Sequence, residues 1–146
     1  MAGDARVAVP GWFWIVGIVA LAFEASGCTM YMLQMTMTPA DFAALPPAQQ
    51  QVWNQSPGWV PAAYAVAVWA GLAGAVGLLL RRRWAQPFFI LSLVGVVVQF
   101  GTVFAVTDIL SAMPLVEAAG PPMAILVVTL GLIWFAGRAQ QRGWLA

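Results

Sequence analysis

Histidine and lysine are absent from this chain, cysteine occurs once, and charged residues fill only 8% of its 146 positions. Without histidine the commonest general base and metal ligand are missing, and without lysine there is no Schiff-base chemistry. The single thiol, Cys28, excludes an intramolecular disulfide and a thiolate metal cluster. No phosphate loop, no His/Cys metal set and no nucleophile paired with a base is present. The sequence therefore predicts neither an enzyme nor a resident metal or cofactor. Soluble domains carry about 25% charged residues. Here 62% of the residues are hydrophobic, more apolar surface than a soluble fold of this length can hide, although lipid can.

Four apolar segments, near 11–37, 59–80, 87–107 and 121–137, each approach the roughly 20 residues that cross a bilayer as a helix. They predict an all-α membrane protein, a single domain over 1–146 built as an antiparallel bundle of four transmembrane helices. A turn over 81–86 joins the middle pair, and a loop over 38–58 carries short helices. Pro61, Pro87, Pro121 and Pro122 mark helix starts, where a missing donor costs nothing. The first segment reads as a retained helix rather than a signal peptide. Arg6 is offset by Asp4, the segment opens on Trp12, Phe13 and Trp14, and Glu24 interrupts it.

Arginine placement sets the orientation. Arg81, Arg82 and Arg83 fill the 81–86 turn, Arg138 and Arg142 follow the last helix, and Arg6 precedes the first. Four crossings put all six on one side and leave Asp41, Asp108 and Glu117 on the other. The arginine side is then cytoplasmic, with both termini there, and the arginines touch anionic lipid headgroups rather than nucleic acid. Trp12, Trp14, Trp84, Trp134 and Trp144 fall near that interface, and Trp53 and Trp59 near the opposite one. In the outer loop, Thr38-Pro39-Ala40-Asp41 has the form of a helix start, with Thr38 as cap. A second short helix begins at Pro47 and stops near Pro57, with Phe42, Leu45, Val52 and Trp53 pressing the loop onto the membrane surface.

Glu24 is the one acid inside an apolar segment. It lies about 13 residues, hence roughly 20 Å, into the first helix, near mid-bilayer. A charge there costs about 2.5–3.5 kcal/mol on insertion scales, so Glu24 needs a protein partner, a proton or water. Its three- and four-residue neighbours are Gly17, Ala20, Gly27, Cys28, Tyr31 and Gln34, a small and polar stripe predicted to face protein. Ser92, Gly95, Gln99 and Thr102 form a matching stripe on the third helix, with Gln99 at a depth to hydrogen-bond Glu24 and Thr129 of the fourth helix nearby. The expected polar core is Glu24, Tyr31, Gln99, Thr102 and Thr129. On the second helix Ala63, Ala67, Gly71 and Gly74 recur every three or four residues and predict close helix packing. Met30 and Met37 share one helical face while Met32 and Met35 occupy others, which favours gap-filling over a copper site.

Several of these features together resemble a bacterial family. They are the tryptophan-rich start, Gly27-Cys28 followed by Tyr31 and Gln34, Met37-Thr38-Pro39, Leu45-Pro46, Arg81-Arg82-Arg83-Trp84-Ala85 and Arg142-Gly143-Trp144-Leu145. The family is one of small four-helix inner-membrane proteins of proteobacteria and Bacteroidetes, often labelled "sugar transporter", and the resemblance covers nearly the whole chain. It implies a bacterial inner-membrane location. Members commonly carry an asparagine near the position of Glu24, from which this chain departs. Glu24-Ala25-Ser26-Gly27 is also similar to the first-helix glutamate of small multidrug resistance exporters. Two function classes follow. One is a non-enzymatic membrane component packing with itself or a larger complex. The other is a small proton-coupled carrier using Glu24, its substrate unnamed.

Overall fold

The computed structural model describes residues 7–146; Asp4 and Arg6 lie outside the described residues. The elements are α1 (Gly11–Met35), α2 (Pro39–Ala43), α3 (Pro47–Gln55), α4 (Val60–Leu79), α5 (Ala85–Val106), α6 (Ile109–Ala112) and α7 (Leu115–Gln141). α1, α4, α5 and α7 are long and apolar enough to cross a membrane and form an antiparallel four-helix bundle. The bundle exposes Ile15, Ile18, Val19, Val94, Val97, Val127 and Leu130, a belt that water would not tolerate and lipid accepts. The chain is a multi-pass membrane protein. Arg81, Arg82, Arg83, Arg138 and Arg142 gather at one end of the bundle, and α2, α3 and α6 cover the other, here named the arginine end and the cap end.

The fourth spanning helix begins earlier than proline placement predicts. α7 starts at Leu115, after Pro114 in extended conformation, and runs straight through Pro121 and Pro122. Glu117 in its first turn complements the helix dipole. The missing donors at 121 and 122 fall near the cap end, and membrane helices absorb such losses. α5 starts at Ala85, which leaves Pro87 still within the first turn.

α4 is the spine of the bundle, packed along α5 and α1, while α7 packs on α5. Its small residues turn inward, with Ala67, Ala70, Gly71, Gly74 and Gly77 all buried. A Cβ on Gly95 would lie 2.6 Å from the Ala67 nitrogen and 2.9 Å from the Ala63 oxygen, so α4 and α5 touch backbone to backbone there. Gly74, Gly77 and Gly17 instead receive side chains, those of Phe89, Trp84 and Leu79. Two neighbouring α4 carbonyls accept hydrogen bonds from either side: Ser92 Oγ donates to Ala67 O at 2.6 Å, and Cys28 Sγ to Val68 O at 3.4 Å.

The arginine end is filled by a hydrophobic core that includes Phe13, Leu78, Phe89, Phe135, Ala136, Trp144 and Leu145, 0–8% exposed. α1 and α7 meet there through aromatic rings: Phe13 and Trp12 each lie 5.8 Å from Phe135, and Trp12 lies edge-on 5.5 Å from Trp144.

Arg81 ties the chain together at the arginine end. It takes the left-handed conformation (φ 57°) where α4 ends, and the amides of Arg81 and Arg82 donate to Leu78 and Gly77, the Schellman pattern that glycine usually closes. Its side chain donates to Trp144 O at 2.8 Å and to Val7 O at 2.6 Å. Paired backbone bonds, Arg83 N to Ala146 O and Ala146 N to Arg81 O, complete a clasp. α7 ends in the same motif with Gly143 at φ 72° and buried Trp144 beyond it. Arg81→Gly keeps the turn but removes the two side-chain donors. Amide exchange across 144–146 is expected to speed up at least several-fold, whereas exposed Arg82→Ala leaves it unchanged.

The cap is held by local bonds. Thr38 Oγ1 accepts from the Asp41 amide at 3.2 Å, and Asp41 Oδ2 accepts from the Thr38 amide at 2.9 Å, a reciprocal capping box. Gln50 Nε2 donates to Leu45 O across the α2–α3 turn. Gln55 and Asp108 exchange two bonds of 2.8 Å, which tie α3 to the start of α6. Donation from Thr38 holds the Asp41 carboxyl below its ordinary range. A depressed carboxyl contributes stability above its unfolded-state pKa and loses it as pH falls through the lower folded value. α2 is therefore expected to fray only below about pH 4, seen as faster amide exchange over 38–44. Asp41→Asn should show the frayed level at neutral pH as well.

A candidate intramembrane acid site

In the cap half of the bundle α1 and α7 stand apart, and the space between them is a cavity of about 380 Å³. Phe23, Glu24, Gly27 and Met30 of α1 line it, together with Tyr64, Ala67 and Val68 of α4, Ser92, Val96, Gln99 and Phe100 of α5, and Ile125 and Thr129 of α7. No arginine is among its lining residues.

Glu24 forms its floor. The side chain is 5% exposed, and its carboxyl lies against the bare Cα of Gly71, where any Cβ would overlap it. α1 can hold a carboxyl here because α4 presents no side chain at that level. Glu24 Oε1 is fully buried and has no hydrogen-bond partner. An unpaired polar atom in such surroundings costs on the order of 1–3 kcal/mol, and α1 bears that cost.

The hydrogen bond expected between Gln99 and Glu24 is not made, and the helix register explains why. Glu24 lies level with Gly71, whereas Gly95 is already level with Ala67 and Ala63. Gln99, one turn beyond Gly95, therefore stands roughly 10 Å nearer the cap end. Equal counts from the helix starts mislead because α1 begins further out toward the arginine end than α5, with Gly17 level with Leu79 where Trp84 is already level with Gly77. Gln99 instead stands near the level of Gln34, in the same cavity.

The other expected core residues divide. Thr129 is buried and lines the cavity, its hydroxyl donating to Ile125 O at 2.8 Å. Tyr31 sits beside the cavity, its ring edge-on to Tyr64 at 5.3 Å and to Trp69 at 6.4 Å. Thr102 is half-buried on α5 and lines neither this cavity nor the next. Of the stripe around Glu24, Gly17, Ala20 and Cys28 are buried, while Gly27, Tyr31 and Gln34 are half-buried. Tyr64 and Ser92 are cavity residues that the expected core omits. Ser92 sits one turn from Gly95 on the stripe already drawn. Tyr64, at three residues from Ala67, shares the small face of α4 and could have been found there.

A second cavity of about 340 Å³ lies under the cap, lined by Gln49, Val52, Trp53 and Ser56 of the α3 region with Val60, Gln34, Gln99 and Met113. Among the methionines, Met30 lines the first cavity, Met32 and Met35 are exposed and Met37 is half-buried, so they share no site. No cluster of three His, Cys, Asp or Glu residues able to hold a metal occurs among the described residues.

No protein-family model, no curated protein and no solved structure matches this chain. The reading of function rests on the geometry above.

Proposed function

We propose that this protein is a small, non-enzymatic carrier of the bacterial cytoplasmic membrane in which Glu24 binds and releases a proton or a cationic group. The observation that carries the reading is the unpartnered Glu24 carboxyl on the floor of a membrane-depth cavity. A carboxyl used as structural glue would be bonded to its neighbours, as intramembrane polar groups usually are. This one is held in place by shape, over Gly71, with its acceptor capacity unspent. The arginine end faces the cytoplasm under the positive-inside rule, which also puts both termini there.

A membrane component that associates with itself or with a larger complex is the second reading. Small residues that face outward favour it: Gly101, Gly120 and Gly131 have open space where a Cβ would point, a surface another helix can approach closely. The α4 stripe is spent inside the chain and gives that reading no support. The two readings part at Glu24→Gln, which abolishes proton-coupled flux in a carrier and leaves a purely structural protein intact.

A further inference from the structure

The two cavities share two residues, Gln34 and Gln99, and no others. One comes from α1 and one from α5, both are half-buried, and they stand where the space under the cap meets the space above Glu24. Gln50, Gln55 and Gln86 spend their amides on Leu45, Asp108 and Ile133, whereas Gln49, Gln51, Gln140 and Gln141, which also make no side-chain hydrogen bond, lie outside the four spans or at the arginine end. The Gln34 and Gln99 side chains make no hydrogen bond among the described residues. Two carboxamides offer four donors and about as many acceptor sites. Leaving them unmet within a membrane span is costly unless water or a polar solute meets them. At the other end, the rings of Phe13, Phe89, Phe135 and Trp144 close the bundle. The cavity at that end, lined by Arg83, Gln86, Gly137, Gln140 and Gln141, shares no residue with the Glu24 cavity.

Building on the carrier reading, we infer that Gln34 and Gln99 form the polar neck of a water-lined path from the cap end down to Glu24, and that the arginine end is closed to it. The path passes water, and protons through water, by offering carboxamide donors and acceptors in place of bulk hydration. The neck joins cavities of about 340 and 380 Å³, so reagents of a few heavy atoms fit on either side of it.

The test uses the full chain in membrane vesicles of both orientations, with Cys28→Ser as background, since a serine hydroxyl can keep the bond to Val68. Gln34→Cys, Gln99→Cys, Glu24→Cys and Ala136→Cys are each treated with a small membrane-impermeant methanethiosulfonate. From the cap side, the first three are expected to react at least about tenfold faster than Ala136→Cys, which is buried in the arginine-end core and reacts only through local opening. From the arginine side all four should be slow. Adding Gln34→Leu and Gln99→Leu to Glu24→Cys should slow labelling at position 24 about tenfold, with the melting point showing that the bundle is intact. Equal labelling of position 24 from both sides, or no slowing by the leucine pair, overturns the neck. The carrier reading fails separately: a labelled neck together with unchanged proton flux in Glu24→Gln keeps the path and removes the carrier.

Discussion

Glu24→Gln is expected to reduce proton flux through reconstituted vesicles by more than about tenfold, the loss expected when an intramembrane acid is the exchanging group. Glutamine keeps the length and shape of the side chain, so it still lies over Gly71, and the carboxyl it replaces has no hydrogen bond at Oε1 to lose. Membrane level and melting point should therefore stay near wild type. An amide cannot titrate at any accessible pH, so coupling disappears while the cavity persists. Flux is read from the internal dye response to an imposed pH gradient, against empty vesicles. Wild-type flux in the variant would leave Glu24 a structural residue.

Gly95→Leu should be the most damaging single change to the fold. Its Cβ would meet backbone atoms of Ala67 and Ala63, which cannot swing aside as a side chain can. α4 and α5 would have to separate, loosening the widest helix interface and the Ser92–Ala67 hydrogen bond. Overpacking of this kind costs about 1–3 kcal/mol and sometimes more, and the backbone contact puts this site at the upper end. Gly101→Leu, on the same helix but facing open space, should be neutral, because leucine is at home in lipid. Thermal unfolding of the two variants in one detergent separates the contact from any general effect of losing a glycine.

Much of the architecture was legible because lipid imposes simple rules. Length and apolarity predict four spans, and the described arginines sort to one end with Asp41, Asp108 and Glu117 at the other. The stripe from Gly17 to Gln34 turns inward as its small and polar character requires, while Ile15, Ile18 and Val19 turn out. Thr38 and Asp41 carry their capping box in the sequence. Legibility fails where depth depends on neighbours. A helix read alone says how far Gln99 is from its own start, but the sliding of α1 against α4 and α5 decides that Gln34, not Glu24, is its counterpart. α7 shows the same limit: Pro121 and Pro122 look like a beginning, and only Pro114 with the packing behind it reveals six earlier residues. Arg81 looks like one of three equivalent charges until the chain ends come together and give it two carbonyls to bind.

The account turns on whether the Glu24 carboxyl exchanges protons with the surrounding medium. Infrared difference spectra of the reconstituted protein across a pH titration test this most directly. A titrating carboxylic-acid carbonyl band that vanishes in Glu24→Gln is the predicted result. No band that depends on Glu24, at any pH the protein survives, would contradict it.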